Sequence, residues 1–196
     1  MRWEKYIMYS FLCFVIPNAI WQVVNKGKYK GKEHVIRHIV WTYVFMLYCY
    51  LAVEVAADMG TMWDIIKYGG IRGVVYLKPF MIDELKSHIL NVIMFMPLGF
   101  LLPLVWNNFR KILKVAIVGL LMSLAIEVSQ LFCYRTSDIN DLITNTLGTI
   151  TGYMLWIIFH KIFKRSGQKA VIMHKLEPVI YIFVGMFGIF FLYKKN

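Results

Sequence analysis

The sequence predicts an all-α membrane protein, a bundle of about six transmembrane helices. Of its 196 residues, 59% are hydrophobic and only 17% are charged, and the mean hydropathy is +0.59. A soluble domain cannot hide this much apolar surface inside one core. The charged residues also lie between apolar runs instead of along amphipathic faces, which is typical of membrane proteins.

Six apolar windows have about the length of 20 helical residues that a bilayer crossing requires. They cover residues 6–24, 39–57, 89–106, 115–133, 142–160 and 177–193. The sixth window is the shortest and begins at Glu177-Pro178, and proline is acceptable in a first helical turn. A five-span alternative, with the last helix lying on the membrane surface, stays open.

Basic connections set the expected orientation. The segments 25–38, 107–114 and 161–175 carry most of the lysines and arginines, and six spans place them on one side. By the positive-inside rule this side is cytoplasmic, so we expect a multi-pass protein of the cell membrane with its N-terminus outside. Lys194 and Lys195 then lie on the external side, against the rule, and the five-span version would remove this conflict.

The net charge of +11 does not indicate nucleic-acid binding, because the basic residues lie in short segments beside apolar spans. We therefore expect no nucleic-acid partner. Cys13, Cys49 and Cys133 are widely spaced inside apolar runs, so they are expected to be packing residues. The potential ligand residues show no recognisable metal-site spacing, so we expect neither a metal nor another cofactor.

Polar residues inside apolar spans are the candidate site residues, because such residues usually face a bundle interior or a hydrated cavity. Glu127 is the clearest case, and Gln130 lies one turn further on the same helical face. His88 and Asn91 open the third span, three residues apart. Pro97 and Pro103 inside that span are expected to kink the helix.

The connection between the fourth and fifth spans reads RTSDIND over residues 135–141. Ser137 or Asp138 would cap the fifth helix. Polar residues and glycines then recur at spacings of three and four, within one arc of about 80°. They are Asp138, Asp141, Asn145, Gly148 and Gly152. The glycines would let another helix approach closely, and they offer one place for a homodimer.

Six-span topology brings these polar residues to one membrane face: His88, Asn91, Glu127, Gln130, Arg135, Asp138, Asp141 and Asn145. Glu54 and Asp58, at the outer end of the second span, are expected to join them. Structural interpretations stay open beside functional ones. Glu127 and Gln130 would serve as an interhelical hydrogen-bonding pair, and Arg135 would form a local ion pair with Asp138 and Asp141.

Together, the runs NVIMFMPLGF (91–100), EVSQ (127–130) and RTSDIND (135–141), with Asn145, Gly148 and Gly152, resemble the VanZ-like family. The resemblance covers about residues 39–160 and implies a bacterial membrane protein. The family's founding relative is associated with resistance to teicoplanin, a glycopeptide that acts on lipid-linked wall precursor at the outer membrane face. We divide the chain into a first helix and basic loop (1–38), a VanZ-like four-helix core (39–160), and a basic loop with a final helix (161–196).

Three functions agree with these residues and with the resemblance. The first is an outer-leaflet polar pocket that binds a membrane lipid or lipid-linked cell-wall precursor and contributes to glycopeptide resistance. Its expected binding residues are His88, Asn91, Gln130, Arg135 and Asn145. The second is a membrane enzyme that modifies such a lipid, with Glu127, Asp138 and Asp141 as candidate catalytic carboxylates. The third, a small transporter, is disfavoured by the short chain and the absence of repeats.

Overall fold

The computed structural model describes residues 2–25, 32–57, 61–70, 73–76, 85–132, 136–163 and 175–194. Within these residues the elements are α1 (Arg2–Asn25), α2 (Lys32–Ala57), α3 (Met62–Tyr68), β1 (Val74–Tyr76), α4 (Leu85–Val105), a 3-10 turn (Asn107–Phe109), α5 (Ile112–Gln130), β2 (Thr136–Asp138), α6 (Ile139–Ile162) and α7 (Glu177–Leu192). Five helices, α1, α2, α4, α5 and α6, are long and apolar enough to cross a membrane. The expected all-α membrane fold is confirmed.

The long helices are apolar on their outer faces as well as on their inner ones. In α5, Met122 and Ile126 are buried. On the same helix, Leu120, Leu124 and Val128 are exposed. Because water does not favour a surface of this composition, lipid is the solvent that suits the exposed side chains.

The sixth apolar window forms α7, which runs antiparallel beside α1. Near one end the Tyr9 hydroxyl donates to the Leu192 carbonyl at 2.9 Å, and further along Asn18 Nδ2 donates to the Tyr181 carbonyl at 3.0 Å. Gly188 lies against the Cys13 carbonyl. With 16 residues, α7 is about 24 Å long, somewhat short of a bilayer core of about 30 Å. This antiparallel packing fits a sixth crossing better than a surface helix.

One end of the bundle, which we call the sheet end, gathers three segments that are distant in sequence. β1 pairs in parallel with β2, with Val74 opposite Thr136. Lys194, after α7, places its Nζ 4.9 Å from the ring centroid of Trp63 in α3. This cation–π contact gives the lysine that opposes the positive-inside rule a local partner. The two three-residue strands were not expected from the sequence.

The opposite end, which we call the basic end, holds the connection before α5, the end of α6 and the start of α7. Asn108 Nδ2 donates to the Lys175 carbonyl at 3.0 Å, and Lys114 Nζ donates to Asn108 Oδ1 at 2.5 Å. The Tyr153 hydroxyl of α6 donates to the Arg110 carbonyl at 2.9 Å. The basic connections around 107–114 and 175 therefore converge, as the six-span topology requires.

Small residues bring α4 and α6 into backbone contact. A Cβ added at Gly148 or Gly152 would collide with the carbonyl oxygen of Val92 or Met96, respectively. The prediction that these glycines admit a close helix is confirmed, and the partner helix is α4 of the same chain. A homodimer would need another surface.

Three prolines lie inside the continuous helices α1 and α4, and neighbouring side chains donate hydrogen bonds near two of them. α4 contains Pro97 and Pro103 and runs without interruption. The Tyr48 hydroxyl donates to the Met94 carbonyl, three residues before Pro97, at 2.8 Å. In α1, Asn18 Nδ2 donates at 3.1 Å to the carbonyl of Phe14, three residues before the internal proline. A proline at position i leaves the carbonyl of residue i−4 without its helical donor, and these side chains donate to the carbonyl one residue further on.

Candidate functional site

Glu127 lies near the sheet end of α5, on a face that packs inside the bundle. Its side chain is 5% exposed, and Oε2 accepts a hydrogen bond from the Asp138 backbone N–H at 2.9 Å. The Ser137 hydroxyl is a second hydrogen-bond partner. The carboxylate therefore joins the end of α5 to β2, which leads into α6.

Asp138 is the residue that caps α6. Its Oδ1 accepts from the Asn140 N–H at 2.9 Å, as expected of an aspartate at this position. The capping prediction is confirmed. Its backbone also pairs opposite Tyr76 of β1. The capped helix start, the strand pair and Glu127 thus hold one another in place.

Asp141 and Asn145 extend the polar face along α6. Asp141 Oδ1 accepts from Asn91 Nδ2 of α4 at 2.6 Å, and Asn145 Nδ2 donates to Ser123 Oγ of α5 at 2.9 Å. Asn145 is 2% exposed, and its Oδ1 is buried without a hydrogen-bond partner among the described residues. Three spans therefore meet through polar contacts that leave one amide oxygen unused.

Gln130 and His88 are also buried at this end, at 4% and 8% exposure. We call the seven described side chains the polar cluster: His88, Asn91, Glu127, Gln130, Asp138, Asp141 and Asn145. The predicted gathering of these residues toward one end is thus observed. Arg135 lies outside the described residues, so its expected role stays a prediction.

Glu54 lies in the last turn of α2, at the sheet end, and its expected place beside the polar cluster stays a prediction. Its side chain is exposed, because the buried face of α2 at this level is formed by Ala52 and Val53. Asp58 lies outside the described residues. In the part of the chain that the structure describes, no group of three His, Cys, Asp or Glu residues is placed to hold a metal ion.

A second buried polar group, which was not expected from the sequence, lies at the basic end. The side chain of Glu177 is fully buried. Its Oε2 accepts from Trp106 Nε1 at 2.8 Å and lies 3.4 Å from His38 Nε2, while Oε1 accepts from the Tyr181 hydroxyl at 2.6 Å. Gln22 Nε2 of α1 donates to the same hydroxyl at 3.0 Å. We call these five residues the Glu177 cluster.

The Glu177 cluster joins α1, α2, α7 and the residue after α4. One signal was available in the sequence, namely a carboxylate at the start of an apolar window with Tyr181 one turn later on the same face. Nothing local connected His38 or Trp106 to it. The cluster places α7 against the rest of the bundle, and its residues already satisfy both carboxylate oxygens.

Five of the described helices are long and apolar enough to cross a membrane, and polar residues are buried at both ends of the bundle. These features define a multi-pass α-helical membrane protein. The family model described as VanZ/LLP1 matches residues 5–160. The chain belongs to the VanZ/LLP1 family. The match includes the first span, which the resemblance over 39–160 did not cover, whereas α7 lies beyond it.

A curated relative, Protein VanZ of Enterococcus faecium, is 39% identical over 97 residues, which are 49% of this chain and 54% of that protein. The chain thus spans about half the length of this relative. No solved structure matches the chain.

Proposed function

We propose that this VanZ/LLP1-family membrane protein binds the headgroup of an envelope lipid or lipid-linked cell-wall precursor at the polar cluster, and thereby contributes to teicoplanin resistance. The proposal places the sheet end and the N-terminus outside the cell. The distribution of lysines and arginines supports that orientation, because the basic end is the end expected in the cytoplasm. The similarity to Protein VanZ supports the link to resistance.

The free acceptor of Asn145 is the observation that carries the proposal. Its amide N–H is engaged by Ser123, while Oδ1 is buried without a partner among the described residues. A buried acceptor without a donor costs about 1–3 kcal/mol. A hydroxyl or ammonium group of a bound headgroup would supply the missing donor. Sugar and amine headgroups carry such groups, which makes them the chemistry that this site fits.

The contacts of the carboxylates favour binding over catalysis. Asp138 caps α6, Asp141 accepts from Asn91, and Glu127 accepts from the Asp138 N–H. Each contact gives its carboxylate a structural role that requires no chemical step. The catalytic assignments of Glu127, Asp138 and Asp141 therefore remain sequence-based predictions, and the lipid-modifying enzyme remains the second candidate.

The sequence supplies Arg135 as a further residue of the proposed site. It lies outside the described residues, and in the sequence it directly precedes the first residue of β2. A guanidinium group is well suited to a phosphate, which it contacts through two parallel hydrogen bonds. We propose that Arg135 contacts the phosphate of the lipid while the amides of the polar cluster contact its polar head.

Teicoplanin susceptibility tests the proposal in cells. The strains would make the wild type, Glu127→Gln, Asn145→Leu or Thr151→Ala at matched membrane levels. Glu127→Gln retains an acceptor for the Asp138 N–H and removes the charge. Asn145→Leu preserves the approximate volume and removes the amide. Thr151 lies exposed on α6 and bonds only its own helix in the contact described, so it is the matched control.

The proposal predicts that the wild type and Thr151→Ala raise teicoplanin resistance to the same degree and that Asn145→Leu loses the effect. Glu127→Gln, which keeps the acceptor for the Asp138 N–H, should retain it, and its loss there would favour the lipid-modifying enzyme. Full resistance in Asn145→Leu would contradict a role for the polar cluster. If the wild type changed neither resistance nor the lipid profile of the cells, the link to resistance would be wrong.

A further inference from the structure

The basic end carries a group of exposed cations that the polar cluster does not explain. Arg110 and Lys111 lie between the 3-10 turn and α5, and Lys161 lies at the end of α6; all three side chains are exposed. We propose that this surface binds the headgroup of an anionic phospholipid of the cytoplasmic leaflet. The proposal is independent of what binds at the polar cluster.

Arg110 is held in position by contacts with α6. Its carbonyl accepts from the Tyr153 hydroxyl at 2.9 Å, and its guanidinium carbon lies 5.7 Å from the ring centroid of Trp156. Trp156 is 6% exposed, and its ring stacks on His160 at 5.2 Å. A cation held over a buried aromatic ring loses less freedom on binding than a mobile surface side chain.

The surface has no exposed counter-charge among the side chains that the structure describes. Lys114 and Lys175 add to its positive charge. Within the described segments 107–114, 153–163 and 175–181, Glu177 is the one carboxylate, and it is fully buried and bonded to Trp106 and Tyr181. The positive charge of these segments is complementary to an anionic headgroup, which such segments attract at the cytoplasmic surface.

The backbone at the start of α5 adds partial positive charge to the same surface. The cap residue Lys111 makes no side-chain capping bond, and the first turn of α5 contains no acidic residue. The N–H groups of a helix start and its dipole favour a negative group nearby. This feature supports the proposal but does not define the surface, which rests on Arg110, Lys111 and Lys161.

Apolar neighbours indicate a lipid and not a soluble anion. Leu113 is 69% exposed beside Lys111, and Ile162 and Phe163 are 67% and 61% exposed beside Lys161. A ligand that matches both features has an anionic head and hydrocarbon chains. Because these residues lie at the ends of apolar helices, such chains would continue along the surface of the bundle.

Lipid binding by the purified full-length protein tests this proposal. The protein, released from nanodiscs of equal phosphatidylglycerol and phosphatidylcholine, would be analysed for the lipids that remain bound. The test variant is Lys111→Gln/Lys161→Gln, which removes two exposed cations. The matched control is Lys67→Gln/Lys86→Gln, which removes two exposed cations at the sheet end. Arg110→Lys tests the ring contact while it preserves the charge.

We expect the wild type to retain phosphatidylglycerol preferentially. Each cation near an anionic surface contributes about a fivefold preference, so the test variant should lose about 25-fold, while the control should not change. Arg110→Lys should retain most of the preference. An equal loss in the control variant would show an effect of net charge alone and would overturn the proposal. Displacement of the lipid by inorganic phosphate alone would overturn it too, because the site would then recognise a free anion.

Discussion

Replacing Gly148 by alanine would place a methyl group where α6 meets the backbone of α4. The added Cβ would collide with the Val92 carbonyl oxygen and would lie 2.9 Å from Val92 Cα and 3.0 Å from its carbonyl carbon. Carbon atoms in favourable contact are about 3.5–4.0 Å apart. The obstructing atoms belong to the backbone, so no side-chain rotation can relieve the overlap, and the helices must separate locally by about 1 Å.

This separation has an energetic cost and a consequence for the site. Overpacking of this kind costs about 1–3 kcal/mol, and the better helix propensity of alanine offsets about 1 kcal/mol. Val92 follows Asn91, whose Nδ2 lies 2.6 Å from Asp141 Oδ1. A movement of about 1 Å would break that hydrogen bond, which adds about 1 kcal/mol. We therefore expect a net loss of about 1–3 kcal/mol.

Reversible unfolding of the purified protein in mixed micelles, titrated with a denaturing detergent, would measure the loss. Thr151→Ala is the control, because its side chain is exposed on the same helix and its change should stay within about 0.5 kcal/mol. If Gly148→Ala were as stable as the wild type, the backbone contact between α4 and α6 would be refuted.

Two further predictions concern the basic end and the orientation. Glu177→Ala should destabilise the protein by about 2–4 kcal/mol in the same titration, because the buried Trp106 N–H and Tyr181 hydroxyl lose their acceptor, and Glu177→Gln should cost less. Unchanged stability of the alanine variant would contradict a structural role for the Glu177 cluster. In a background without native cysteines, Thr136→Cys should react with an impermeant maleimide in intact cells and Lys111→Cys only after permeabilisation. The reverse pattern would invert the proposed orientation.

The sequence predicted the spans well because the requirement for apolar length acts locally. The window 142–160 lies within α6 (Ile139–Ile162), and the window 177–193 corresponds to α7 (Glu177–Leu192). Asp138 as a cap and Gly148 as a point of close approach were also predictable, because residue type and spacing express both features directly.

The contacts between distant segments were not predictable in this way. The pairing of β1 with β2 depends on how two loops meet, and three-residue strands leave no periodic pattern. The Glu177 cluster forms when His38, Trp106 and Glu177 converge from separate helices. The exposure of Glu54 was not predictable for a related reason, because proximity to a membrane face does not decide which side of a helix is buried.

The local contacts of the polar cluster differ between its carboxylates and Asn145. Glu127, Asp138 and Asp141 all make bonds that hold the sheet end together, which supports their structural interpretation. Asn145 differs, because its buried side-chain oxygen has no hydrogen-bond partner among the described residues. A variant at this position therefore separates binding from structure better than a variant of any carboxylate.

A headgroup site in the polar cluster is tested by lipid binding to the purified protein. Wild type, Asn145→Leu and Thr151→Ala would be incubated with lipid-linked wall precursor and, separately, with phosphatidylglycerol, and the bound lipid would be counted by native mass spectrometry. We expect the wild type and Thr151→Ala to retain the precursor and Asn145→Leu to lose it by about tenfold or more, which corresponds to about 1.4 kcal/mol. Equal retention by Asn145→Leu and the wild type, with both folded, would contradict a headgroup site in the polar cluster.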